Sequence, residues 1–250
     1  MTESIRTLGR MGIFLGHSMA AMLTPPWRPQ SLVKQIHFIG VHSLSVIVLS
    51  GLFVGMVVAL LFQDTLVRFG ATSMAGSAVG LSLIWELGPV LTALMVIGRA
   101  GSAICAEISI MRTEQQIDAL ECMAIDPIRH VIVPRLAAAM ISIPLLTAIF
   151  IVIGIVGGYF ISVILFGLSP GAYFQGMSDT VLMSDLHMCL VKTVVFSLLI
   201  IWISTGKGYY LHRVKGAYGS EGVSRVTTMA VVHSSIAVLC ADYLVSAIML

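Results

Sequence analysis

Charge is what this chain has least of. Lys and Arg number 14 and Asp and Glu 12 in 250 residues, 10% of the whole, where a soluble domain carries about 25%. With 58% hydrophobic residues and a mean hydropathy of +1.00, the chain cannot cover a water-facing surface, so lipid is its main solvent. Its four cysteines, Cys105, Cys122, Cys189 and Cys240, form no CxxC pair and sit in or beside apolar stretches. They read as small hydrophobes. Seven histidines show no HExxH or other ligand spacing, so no metal site is expected. A GxxxxGK[ST] phosphate loop is missing too. Gly206-Lys207 comes nearest, but Ile201 stands where the first glycine belongs and Gly208 where the hydroxyl belongs. There is no GxSxG elbow and no readable Ser/His/Asp set. An energy source within the chain is therefore excluded, an intramembrane enzyme has little support, and no nucleic-acid partner is expected. Arg6, Arg10 and His17 interrupt the first residues, and no small-residue cleavage site comes after them. The first true span is expected to act as the insertion signal.

Long apolar runs are what is present. Residues 43–62 carry no charge, and about 20 residues cross a ~30 Å hydrocarbon core at 1.5 Å per residue. Further spans are expected over 74–98, 131–166, 188–204 and 227–250. The run 131–166 is long for one span and tight for two. Charge decides. With five spans and the N-terminus inside, the inner segments carry Arg6, Arg10, Arg28 and Lys34, then Arg99, Arg112, Arg129 and Arg135, then Lys207, Arg213, Lys215 and Arg225. The outer links hold only Arg68 and Lys192, the latter at the edge of a span. A sixth span would break the positive-inside pattern. The expectation is an all-α integral membrane protein forming one domain over 1–250, N-terminus cytoplasmic and C-terminus outside.

Residues 3–23 read as an amphipathic interfacial helix. Ile5, Leu8, Leu15, Met19 and Met22 line one stripe and Arg6, Arg10 and His17 another. Pro25, Pro26 and Pro29 break it. Gly51/Gly55, Gly76/Gly80 and Gly154/Gly158 form small-xxx-small pairs, where helix backbones approach within the monomer.

Glu86 is the outlier, since a carboxylate near mid-membrane costs ~2.5–3.5 kcal/mol on the insertion scale. Pro89 frees a carbonyl one turn upstream, and Gly88 removes bulk beside it, which suggests a kinked helix opening on a polar cavity. The helical face of Glu86 holds Val79, Ser82, Leu83, Val90, Ala93 and Leu94, a greasy wall with one acid that suits an amphiphile. A purely structural carboxylate pinning helices is the competing reading. Asp242 and His233 in the last span are read as helix-end residues near water. On the cytoplasmic side Thr113–Ala124 reads as a short helix with a Thr113/Gln116 capping box. Its apolar face is Ile117, Leu120 and Ala124, its acidic face Glu114, Asp118 and Glu121, and Asp126-Pro127 ends it. Such a helix could dock on a motor subunit or simply be a solvated surface.

Glu86-Leu87-Gly88-Pro89, Gly98-Arg99-Ala100-Gly101-Ser102, Ala106-Glu107-Ile108, Met111-Arg112, Glu114-Gln115, Met123-Ala124-Ile125-Asp126-Pro127 and Val232-His233-Ser234-Ser235 together resemble the MlaE permease family. The likeness covers nearly the whole chain and is most specific over 82–135. It implies a permease subunit of an ABC transporter in the Gram-negative inner membrane that helps maintain outer-membrane lipid asymmetry. It also implies a homodimer bound to cytoplasmic ATPase subunits (MlaF-like) that hold ATP and Mg, with no cofactor in this chain. A STAS-domain protein (MlaB-like) and a hexameric MCE protein (MlaD-like) would complete the assembly, and phospholipid would be the cargo. The coupling helix would fall on 112–126, with Arg112, Glu114, Asp118 and Glu121 facing the ATPase. Glu86 and Trp85 would mark a lipid cavity, with acyl chains against Met56, Leu60, Val90 and Leu94. One departure stands out. The family pattern often has Arg where this chain has Trp85, which puts an Arg–phosphate contact or Arg–Glu pair there in question. The alternative from another class is an ion- or proton-coupled secondary transporter using Glu86, though one acid in five spans is few and no internal repeat is visible.

Overall fold

The computed structural model describes residues 2–23, 29–213 and 219–249. Pro25, Pro26, Arg28 and Lys215, invoked above for the helix break and the charge pattern, lie outside the described residues. No strand occurs among the described residues. Helix α1 is Thr2–Leu23. Five helices are long and apolar enough to cross a membrane: α2 (Pro29–Arg68), α3 (Ala75–Thr113), α5 (Ile128–Leu165), α7 (Met183–Tyr209) and α8 (Gly219–Met249). Two short ones fill connections, α4 (Gln116–Cys122) and α6 (Pro170–Thr180). The ambiguous run is thus one helix, and all five spanning helices outrun their apolar stretches.

Regular helix is the rule because hydrocarbon offers backbone groups no partners, yet the ladder is interrupted. π-helical turns occupy His37–Val41 in α2, Leu83–Leu87 and Ile97–Gly101 in α3, and both ends of α5, at Ile128–Ile132 and Phe160–Leu165. A π turn inserts one residue and rotates the rest of the helix about its axis. The face expected for Glu86 is accordingly split: Val79, Leu83 and Ala93 are fully buried in the core, while Glu86 is not.

Glycines set the closest helix pair. A Cβ on Gly55 of α2 would collide with the Gly154 carbonyl of α5, and one on Gly157 of α5 with the Leu52 carbonyl. Gly76 and Gly80 of α3 face Tyr173 and Met177 of α6 in the same way. These pairs pack within the chain. Helix α6, absent from the sequence reading because its residues form no apolar run, therefore closes one end of the bundle. Its Tyr173 is fully buried and donates to the Ile155 carbonyl at 3.1 Å. Burial pushes the Tyr173 phenol above its ordinary range, so it stays a neutral donor. Along α8 only a four-residue repeat is buried, Gly222, Val226, Ala230, Ser234 and Val238.

Helix α1 lies against the bundle by a face that overlaps the expected stripe only in part, with Leu15 and Met22 half-buried. Met11, Phe14, Ser18 and Ala21 are buried, whereas Met19 is 45% exposed. The reason is Trp202 of α7, whose indole N–H donates to the Met11 carbonyl at 2.8 Å. Phe14 also packs on Tyr209 and Tyr210. The side chains of Ile5, Arg6 and Leu8 lie outside the described residues.

Gly55→Ala should destabilise the chain by roughly 1–3 kcal/mol through overpacking. Gly16→Ala, with nothing within 4 Å, should stay within about 0.5 kcal/mol of the parent or gain slightly. Thermal unfolding in detergent reads both, and a Gly55→Ala protein as stable as the parent would contradict the close α2–α5 approach.

Candidate functional site

Pro89 is where the site begins. It has no N–H to give the carbonyl four residues back, which belongs to Trp85. That carbonyl accepts instead from Lys192 Nζ of α7 at 2.8 Å. The same ammonium donates to Glu86 Oε1 at 2.8 Å and stands 3.0 Å from Asp242 Oδ1 of α8. Lys192 is wholly buried, Asp242 17% exposed and Glu86 45% exposed. Ser246, one turn beyond Asp242, donates to Glu86 Oε1 at 3.1 Å and to the Asp242 carbonyl at 2.9 Å. One cation and two carboxylates from α3, α7 and α8 thus meet at a proline-broken turn.

Depth is set by position along each helix. Glu86 lies eleven residues after Ala75, Lys192 nine after Met183 and Asp242 seven before Met249. At 1.5 Å per residue these are about 16, 14 and 10 Å from one end of the bundle. A wholly buried ammonium at that depth is tolerable only when its charge is answered locally, here by two hydrogen bonds and an ion pair with Asp242. Glu86 is the group left half open, with the Trp85 indole beside it in sequence. Trp85 Nε1 has no hydrogen-bond partner. The site therefore offers a carboxylate edge held by a buried cation, without that cation being reachable itself.

Of the residues named from sequence, Glu86 by its carboxylate and Trp85 by its backbone carbonyl both accept from Lys192. Val90 and Leu94 come next on α3, and Met56 is on α2; all three are half-buried against the core. Leu60 is 40% exposed on α2. Asp242 is corrected: it is a member of the ion cluster and not merely a helix-end residue. Lys192, read as an edge residue, is its centre. An intramembrane lysine alongside two intramembrane acids was the available signal.

A second group of named residues lies at the opposite end. Arg112 Nη1 pairs with Asp118 Oδ1 at 2.8 Å, its Nε approaches His212 Nδ1 at 3.3 Å, and its guanidinium lies 5.5 Å from the Tyr209 ring centroid. Tyr209 donates to Glu121 Oε1 at 3.4 Å. Gln116 bonds Glu114 at 2.6 Å. Helix α4 is shorter than expected, Gln116–Cys122. The Thr113 capping box does not form, because Thr113 still belongs to α3 and donates back to Ser109. Left-handed residues close α4 at both ends, Gln115 (φ 59°) and Ala124 (φ 57°). Ile117 is buried, while Glu114, Asp118, Glu121 and Met123 face outward. Arg99 ties the same end to α2, donating to the Phe38 carbonyl at 2.5 Å and Ser43 Oγ at 3.0 Å.

Five apolar helices, three of which meet at a charged cluster, with an exposed acidic helix at the other end, define a polytopic membrane protein. The family model described as Permease MlaE matches residues 32–248. The chain is 43% identical over 251 residues to the intermembrane phospholipid transport system permease protein MlaE of Haemophilus influenzae, covering 99% of this chain and 93% of that one. It is 39% identical to a probable ABC transporter permease protein of Rickettsia felis, covering 96% and 91%. A probable ABC transporter permease protein of Synechocystis is 34% identical, covering 88% and 82%. The chain belongs to the MlaE permease family.

Lys192→Met should cost roughly 3–5 kcal/mol, the range for a buried ion pair left with one partner. Asp242→Asn should cost less, and the half-exposed Glu86→Gln least. Combining Lys192→Met with Glu86→Gln and Asp242→Asn should restore most of the loss, because no unpaired charge remains. Unfolding of the purified variants checks the order; a Lys192→Met protein of parental stability would contradict the cluster.

Proposed function

We propose that this chain is the membrane permease of an ATP-driven ABC transporter that moves phospholipid between the inner membrane and a periplasmic MCE-type carrier, maintaining outer-membrane lipid asymmetry. The observation that carries the proposal is the half-open Glu86, fixed by buried Lys192 at a proline-broken turn, in a chain 43% identical to an intermembrane phospholipid transport permease. A lipid headgroup is polar and its chains are not. The site has that division: a half-open carboxylate, with Val90 and Leu94 further along α3 and Met56 and Leu60 on α2.

Energy comes from outside the chain. ATP and Mg sit on a cytoplasmic MlaF-like ATPase, which meets α4 through Glu114, Asp118 and Glu121, with Arg112 anchoring α4 to Tyr209 and His212. A push on α4 passes through α3, the one helix that reaches from Arg112 to Glu86. The chain acts as a homodimer, the assembly that the family resemblance implies. MlaB-like STAS and hexameric MlaD-like MCE proteins complete the assembly. The positive-inside count supports an N-terminus and α4 in the cytoplasm, with the ion cluster in the periplasmic half of the bilayer. The ion-coupled alternative is the weaker reading, because the cluster spends its charges on one another.

Purified complex reconstituted into liposomes should transfer labelled phospholipid to acceptor carrier only with hydrolysable ATP. Arg112→Ala should leave ATPase binding intact and lower transfer about tenfold or more, as expected from losing a charge-assisted contact. Transfer driven by an ion gradient without ATP would overturn the proposal.

A further inference from the structure

A polar cavity lies far from Glu86. It has a volume of about 200 Å³ and is walled by Ser31, Lys34 and Gln35 of α2, Glu107 of α3, and Pro134 and Arg135 of α5. That is far more than the ~10–15 Å³ one water needs. Glu107 and Glu86 stand 21 residues apart on α3, about 30 Å along the helix, so the two sites are separate.

Its wall is a built one. Arg135 is only 4% exposed. Its Nη1 donates to the Val131 carbonyl at 2.7 Å and its Nη2 pairs with Glu107 Oε1 at 2.8 Å. Its Nε is buried with no hydrogen-bond partner, as is Gln35 Oε1. Buried polar atoms of this kind are ordinarily satisfied, and both belong to residues that line the cavity. The donors are the Lys34 ammonium and the Arg135 guanidinium, which suit a phosphate ester. The acceptors are the Glu107 carboxylate and Gln35 Oε1, which suit an ammonium. The surroundings are apolar on one side only. From Pro134 the same face of α5 continues through Ile141 and Leu145, 52% and 61% exposed, at spacings that keep a helix face in line.

We propose that this cavity holds a resident phospholipid with a phosphate and a free amine in its headgroup, its chain lying along Ile141 and Leu145. The phosphate sits between Lys34 and Arg135 and the amine against Glu107. Because Glu107 lies in the last turns of α3 before α4, a headgroup there braces the root of α4.

The test uses the full chain in detergent, with bound ligand counted by native mass spectrometry. Three probes separate the sources: dihexanoyl-phosphatidylethanolamine, dihexanoyl-phosphatidylglycerol without the amine, and glycerophosphoethanolamine without chains. The short-chain amine lipid should bind tightest, the glycerol lipid several-fold weaker, and the chainless headgroup about a hundredfold weaker. Lys34→Glu, a change at an exposed residue that leaves the fold intact, should weaken the amine lipid about tenfold, and Lys34→Arg should retain it. Unchanged binding by Lys34→Glu, equal binding of the two lipids, or chainless headgroup binding as tightly as lipid would each overturn the proposal. The readout is binding alone, so its failure leaves the transport reading untouched.

Discussion

A single buried ammonium organises the functional half of this protein. Lys192 sits where lipid or packed side chains exclude water, so its charge must be answered locally. Three elements answer it. The Trp85 carbonyl is available because Pro89 has no N–H to claim it, Glu86 supplies one carboxylate and Asp242 the other. The proline, the glutamate and the lysine are therefore one device. Remove the proline and the carbonyl returns to its own helix; remove the lysine and two carboxylates face each other. Three spans distant in sequence are held at one level by this constraint, and Glu86 is left with an edge for something else to touch.

Packing elsewhere leaves this device room. Helices α2 and α5 meet backbone to backbone through Gly55, Gly154 and Gly157, the form of contact that lipid favours because apolar side chains gain nothing by leaving it. Against that rigid pair, α3 carries two π turns, one at Glu86 and one at Arg99. A helix so interrupted can change twist without losing its hydrogen bonds wholesale. Arg112 and Glu86 lie on this one helix, which runs from the ion cluster to the end next to α4.

The fold was legible because hydrocarbon makes apolar length decisive. Charge placement correctly resolved the 131–166 run into one helix. Glu86 was legible for the same reason, as an acid with no business in lipid. Lys192 was not, because the apolar run seemed to begin at Met188. Helix α7 in fact starts at Met183 through Ser184, Asp185 and His187, which moves the lysine from the rim to a buried depth. Asp242 was misjudged by the same rim argument. The π turn at Leu83–Leu87 defeats any reading based on a 3.6-residue period, so Val79, Leu83 and Ala93 were assigned to a cavity wall and are core. The residue before Glu86 is Trp85, and the cation that pairs with Glu86 comes from α7.

Glu86 is held to serve the passage of lipid as well as the joining of helices. ATP-dependent phospholipid transfer by Glu86→Gln in liposomes puts this to the test, compared with the parent at equal folded amounts verified by unfolding. The variant should fold with near-parental stability and show transfer reduced several-fold or more. Parental transfer by that variant, and by Glu86→Ala beside it, would reduce Glu86 to a pin between helices.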